Sequence, residues 1–209
     1  MRSERGEPAT FTQSARRAQM VACAIEVIAE VGWAQTSIRK IAERVGVAMS
    51  AVLYHFGSKD NLVDAVLEEM YRTALAVVVP AVEAQSTAAD QLAAYIRANI
   101  AYFDGHRSHI GALAQLATGY QPRDGRRFDE LGLSPELREE LAALDPAVIL
   151  AAGQRDREFA DFPVGSMALA LRGAVNAVVE KLLRDPDFDP HTYGEDLVAL
   201  FGRAVGVSR

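Results

Sequence analysis

The chain has 209 residues, half of them hydrophobic and 24% charged, with a formal net charge of −6. No apolar run approaches the roughly 20 residues that a bilayer span needs, which excludes a helical membrane anchor. The single cysteine, Cys23, excludes an intrachain disulfide and fits a reducing compartment. The segment MRSERGEPATFTQSARR contains no apolar core of a signal peptide, so a cytoplasmic location is expected. Charge is unevenly spread: residues 1–60 hold eight Lys/Arg against six Asp/Glu, and the remainder holds 14 against 22. A mildly basic small module on an acidic body concentrates any contact with phosphate at the N-terminal face.

Residues 1–13 are polar, lack periodicity and are expected to form a mobile arm. From Ser14 to Val31, Val21, Ile25 and Ile28 recur at helical spacing, and Gly32 supplies the stop. Thr36 or Ser37 caps a second helix with a buried stripe of Ile38, Ile41, Ala42 and Val45. Gly46 makes a turn, and a short helix follows over about 48–54, too short to stand without its neighbours. Ser58 caps a longer helix that Pro80 is expected to end or kink. Further helices are predicted over about 88–104 and 107–119. After the Gly/Pro-rich loop 119–133, another starts at Ser134 and is strained near Asp145-Pro146. The last two run over about 164–184 and 191–206. No segment reads as a strand.

The stretch Thr36–Leu62, TSIRKIAERVGVAMSAVLYHFGSKDNL, carries the chemistry. Two short helices joined by a glycine turn form a helix-turn-helix, which seats its second helix in the major groove. The turn alone is weak evidence. Here Gly32-Trp33 precedes Thr36-Ser37, followed by IAERVGV, the cluster Tyr54-His55-Phe56, then Gly57-Ser58-Lys59-Asp60 and Leu62.

At this density and spacing, residues 14–70 resemble the DNA-binding domain of the tetracycline-repressor (TetR) family of transcriptional regulators. The resemblance implies an all-α fold of about nine helices. Residues 14–70 would form an N-terminal three-helix helix-turn-helix DNA-binding domain, and residues 71–209 a C-terminal helical ligand-binding and dimerisation domain. The body resembles the family less sharply, through helix count and the segment GQRDREF.

Thr36 and Ser37 stand at a helix N-terminus, where free N–H groups and hydroxyls favour a phosphate; capping alone is the alternative. Arg39 and Lys40 lie on the polar face: arginine forks onto guanine, lysine suits a phosphate, and a solvated face is the competing reading. Met49, Ser50, Ala51, Leu53 and Tyr54 are the groove-facing candidates, while Val47 and Val52 pack inward. Tyr54 and His55 match family positions that approach phosphates; a core aromatic and a helix-end hydrogen bond are the respective alternatives. Lys59 matches a family position that contacts backbone phosphate. Arg16 and Arg17 reach neighbouring phosphates or are simply solvated.

Two positions depart from the family pattern. Ala48 stands where Ser or Thr often caps the recognition helix, a loss of about 1 kcal/mol unless Ser50 or the backbone compensates. Leu53 stands where the first tyrosine of an aromatic pair is frequent. Apolar Met49, Ala51 and Leu53 suit thymine methyl groups more than a hydrogen-bond code.

A symmetric dimer on a palindromic double-stranded operator extends the contact of one module. The stripe Ala168, Leu171, Val175, Val178 and Leu182, together with Leu197, Leu200, Phe201 and Ala204, is expected at the dimer interface. Small residues Ala170, Gly173, Ala174 and Ala177 would admit a second helix, and burial within the monomer explains part of both stripes. The resemblance further implies a cavity in the body. The expected lining is Tyr71, Tyr95, Asn99, Tyr102, Phe103, His106, Leu113, Leu116, Tyr120, Met167 and Asn176, suited to a mostly apolar small effector; ordinary core is the alternative for each. His106 and His109 are three apart, but no carboxylate or cysteine completes a metal set, so no metal and no cofactor are expected. No nucleophile elbow, zinc-protease, P-loop or dinucleotide motif is present. The expected function is a DNA-binding regulator, in the first place a repressor. An enzyme, or a helical interaction protein that has lost DNA binding, are the rivals.

Overall fold

The computed structural model describes residues 11–122, 125–185 and 187–206, and every regular element among them is helical. The N-terminal arm lies outside the described residues except for 11–13, which already belong to the first helix. In chain order the helices are α1 (Phe11–Val31), α2 (Ile38–Val45), α3 (Met49–Phe56), α4 (Lys59–Glu83) and α5 (Ala88–Gly105). They continue with α6 (Arg107–Gly119), α7 (Pro135–Ala143), α8 (Pro146–Arg155), α9 (Val164–Arg184) and α10 (Pro190–Ala204). Short 3-10 turns occur at Trp33–Gln35 and Phe128–Glu130. No helix among the described residues is long and apolar enough to cross a membrane.

Ten α-helices occur among the described residues, against an expectation of about nine. The difference arises at Asp145-Pro146, where the sequence suggests a single helix from Ser134 onward. Pro146 has no N–H to continue α7, and Asp145 caps a new helix by accepting from the Ala147 N–H at 2.8 Å. Pro80, in contrast, does not end α4, which runs on to Glu83. The carbonyl that Pro80 leaves without a partner belongs to Ala76, and both positions are exposed, so water can satisfy it.

The chain divides into two compact units. The first takes in the described residues up to Leu67 together with Ala112–Gly132; the second takes in Glu68–Gly111 and the described part of Leu133–Arg209. The segment Ala112–Gly132 thus groups with the N-terminal residues, not with the C-terminal domain where its place in the chain would put it. In the first unit α1 buries Met20, Val21, Ala24, Ile25 and Ile28, a helical stripe against which α2 packs, and α3 packs on α2. The Cys23 thiol is half-buried, and burial holds its pKa above the usual value. It stays protonated and unreactive at neutral pH.

In the second unit α5 is the hub, packing on α8, α9 and α10. Leu92, Ile96, Ile100, Leu150, Leu171, Val175, Val178 and Leu197 share its core. Gly153 shows how tightly this core is fitted: a Cβ there would lie 2.2 Å from the Phe159 ring. Only glycine at that position of α8 leaves room for the phenyl group of the GQRDREF segment, which accounts for that stretch as packing.

Candidate nucleic-acid interface and ligand cavity

The approach to α2 is built from short-range bonds. Thr36 donates its hydroxyl to the Gly32 carbonyl at 2.8 Å and is 4% exposed. Ser37 is the N-cap, accepting from the Lys40 N–H at 3.2 Å. The expectation that both hydroxyls face a phosphate is therefore corrected for Thr36, which is spent inward and sets the chain direction. Gly46 adopts φ 76 and ψ 40, the left-handed conformation a β-carbon disfavours, and this turn brings α3 around. Arg44 of α2 is paired with Glu26 and Glu30 of α1, tying the two helices outside their apolar contact.

On α3, Val52 and Phe56 are buried and anchor the helix. Tyr54 is 77% exposed and Met49 51% exposed, with Leu53 and Ser50 also outward and Ala51 and His55 half-buried. Tyr54 is thus not the core aromatic of the alternative reading. Three large apolar side chains on one exposed face of an eight-residue helix form a surface that water solvates poorly. Ala48 makes no side-chain cap, so neither it nor Ser50 replaces the missing hydroxyl; the Ala51 N–H bonds the Ala48 carbonyl at 2.9 Å instead.

Arg39 and Lys40 are exposed on the polar face of α2. Arg39 lies 2.8 Å from Glu43, one turn along, and this carboxylate holds the guanidinium pKa above its usual value. Lys59 is placed differently from expectation. Its ammonium sits 3.6 Å over the Trp33 ring and donates to the Thr36 carbonyl at 2.6 Å. Burial lowers its pKa, and it serves first to lock the start of α4 to the approach of α2. Arg16 and Arg17 are exposed on α1, with Arg17 5.1 Å over the Phe56 ring.

The expected cavity lining is divided by the structure. Leu113, Leu116 and Tyr120 belong to the first unit. There the Tyr120 ring meets Trp33 edge-on at 5.0 Å, and its hydroxyl donates to Asp60 at 3.2 Å. Asn176 is exposed on α9, and Phe103 and Met167 pack into the core of the second unit. Tyr71 is half-buried on α4. None of these lines the cavity found in that unit.

Tyr102 and the two histidines form a separate cluster. The Tyr102 hydroxyl donates to the Met70 carbonyl at 3.1 Å and lies 3.1 Å from His109 Nδ1, an arrangement that assigns the proton on that nitrogen to the bond with the phenol oxygen. His106 Nδ1 lies 3.0 Å from the Tyr102 carbonyl, and its ring stacks on the phenol. Both imidazoles are thus engaged by Tyr102.

Burial, helped by the neighbouring His106, holds the His109 pKa below its ordinary 6.5. The unfolded chain therefore takes up this proton first on acidification. The stability tied to neutral His109 is complete above pH 6.5 and drains as pH falls below it, toward the lower folded pKa. Replacing His109 by glutamine is expected to flatten the acid-side fall of the melting temperature, measured by circular dichroism. A fall as steep as that of the parent protein would contradict this assignment.

One cavity of the second unit has a volume of about 180 Å³ and gathers Tyr95 and Asn99 from the expected set. Leu75, Val78, Leu141, Leu144 and Pro146 make apolar walls, and Asp145 and Arg172 complete the rim. Sequence reasoning misses this pair, joined at 2.6 Å. The available signal is Arg172 itself, a lone charge within the apolar run VGSMALALRGAVNAVV.

Residues 21–66 match the family model described as bacterial regulatory proteins, tetR family. Residues 21–66 are thus of the TetR type. Among curated TetR-type relatives, it is 33% identical over 63 residues to the HTH-type transcriptional regulator BetI 1 of Chromohalobacter salexigens, covering 30% of this chain and 31% of that protein. It is also 33% identical over 94 residues to the tetracycline repressor protein class A from transposon 1721 of Escherichia coli, 44% of each chain. The matched segments span less than half the length of these two relatives. The fold extends further: a bacterial regulatory protein in the tetR family from Rhodococcus RHA1 superposes with a TM-score of 0.69 at 24% identity, over 93% of this chain and 98% of that one. The TetR-family segment falls within α1 to α4, the part carrying the exposed face of α3.

Proposed function

We propose that this chain is a TetR-family transcriptional regulator that binds a palindromic operator as a homodimer and releases it when a small, mostly apolar ligand occupies the cavity lined by Tyr95, Asn99 and Arg172 in the second unit. The observation that carries the reading is the exposed face of α2 and α3. Arg39 and Lys40 supply mobile cations, while Met49, Leu53 and Tyr54 supply an apolar and aromatic surface. A groove floor offers both complements: phosphate walls for the charges and thymine methyls for the apolar groups. Ser37, Ser50, Ala51, His55 and Lys59 would add to the same contact.

The dimer would form through the outward faces of α9 and α10. Leu169 (66% exposed), Leu183 and Leu200 (54% exposed) are large apolar groups left in water, and exposed Gly173 and Ala177 allow close approach of another helix. The ligand would act through α4. Ala74, Leu75 and Val78 line the cavity on the same helix whose first turn holds Lys59. A ligand can shift the spacing of the recognition helices only by binding two states of the protein unequally.

Footprinting on the DNA flanking its own coding sequence is expected to show a protected, two-fold symmetric site. The logarithm of affinity should fall steeply with the logarithm of salt concentration, by about 0.9 per phosphate neutralised. A slope near zero, or no protection there and no sequence enriched by selection from random DNA, would refute the regulator.

A further inference from the structure

The polar end of the cavity in the second unit has spare hydrogen-bond donors. Each oxygen of Asp145 already accepts one bond, from the Ala147 N–H at 2.8 Å and from Arg172 Nη1 at 2.6 Å. The remaining N–H groups of Arg172 make no hydrogen bond to any described residue. The Tyr95 hydroxyl likewise has no hydrogen-bond partner among the described residues, although Tyr95 is only 9% exposed. Asn99 turns its amide N–H to the Tyr95 carbonyl at 2.8 Å. Tyr95, Asp145 and Arg172 line the same cavity, and burial pushes the Tyr95 phenol up to about 12, which keeps it a neutral donor at physiological pH.

Arginine N–H groups left over from one carboxylate suit a second, which they take in forked geometry. A cationic head would meet the guanidinium while Asp145 is already neutralised. Size narrows the choice further. An apolar protein cavity of about 150 Å³ admits benzene, so the 180 Å³ here accommodates a body of about one ring.

We infer that the cavity binds a small monocarboxylic acid, its ring-sized apolar body between Leu75, Val78 and Leu141 and its carboxylate held by Arg172 and Tyr95. This names the class of ligand at the site of the proposed function and rests on that reading only for its effect on DNA.

The test is calorimetric titration of the full chain, without DNA, using benzoate, benzyl alcohol and benzylamine as probes. Benzoate is expected to bind at one site per chain, roughly tenfold or more tighter than benzyl alcohol, with no binding of benzylamine. Tyr95→Phe removes a hydroxyl that bonds no described residue, so it should fold normally and weaken benzoate by roughly tenfold. Arg172→Gln, checked for helicity, should abolish the preference for the acid. No heat with benzoate at millimolar concentration, equal binding of the alcohol, binding of the amine, or an unchanged Tyr95→Phe variant would each overturn the inference. A gel shift run alongside separates the two readings. Benzoate binding with the expected pattern but without DNA binding or release supports the ligand class and defeats the regulatory mechanism.

Discussion

Leu171→Ala is expected to lower folding stability by about 2–5 kcal/mol, whereas Leu200→Asp should leave the fold intact and separate the proposed dimer. The contrast follows from burial. Leu171 is 0% exposed and lies in the core cluster that α5 and α8 also enter. Truncating it removes apolar packing and leaves a cavity in a unit already so closely fitted that Gly153 admits no methyl group against Phe159. Val175, Val178, Leu182 and Leu197 share that environment, which corrects the sequence reading of the stripe as interface. Phe201 is half-buried against the same core. Among the large side chains expected at the interface, Leu200 alone faces outward, so a carboxylate there is solvated in the monomer and desolvated only across a dimer contact. Urea unfolding followed by circular dichroism reads the first variant, and sedimentation velocity at micromolar concentration reads the second. A Leu171→Ala protein that dissociates without losing stability, or a Leu200→Asp protein that remains dimeric, would contradict this division of the two faces.

Arg39→Ala should weaken operator binding by roughly tenfold or more, and Tyr54→Phe by less. Among the described residues Arg39 is held only by Glu43, on an exposed helical turn. Such surface pairs contribute little to stability and exchange readily, so the guanidinium is available to a base edge and its removal should not disturb the fold. The phenol of Tyr54 projects outward; deleting its hydroxyl takes away a phosphate partner but keeps the ring against the groove. The salt dependence assigns the roles. A side chain that neutralises a phosphate lowers the slope when it is removed, while one that reads a base weakens binding at an unchanged slope. Gel-shift titrations in which neither variant changes affinity would remove α2 and α3 from the interface.

The local architecture of the first unit is legible in the sequence because its signals act over a few residues. Ser37, Gly46 and Ser58 each place a cap or a turn through bonds to near neighbours. Asp145-Pro146 is legible in the same way as a disturbance, although reading it as strain instead of a cap merges two helices into one. The roles of Thr36 and Lys59 are not legible, because they depend on which carbonyl or ring comes within reach. Thr36 turns to Gly32, and Lys59 finds Trp33 and the Thr36 carbonyl, the latter across a gap of 23 residues.

The sequence by itself determined that this chain is helical throughout its recognisable elements and that Thr36–Leu62 forms a helix-turn-helix of the TetR type, since spacing, caps and glycine turns are properties of neighbouring residues. Only the tertiary structure decided which face of α9 is core and which is surface. That helix is apolar on both sides: Leu171, Val175 and Val178 on one, Leu169, Ala170, Gly173 and Ala177 on the other. Periodicity finds such faces but cannot choose between them. The cavity was decided in the same way, by Asp145 and Arg172, 27 residues apart, whose meeting depends on how α8 packs against α9 and on nothing within either helix.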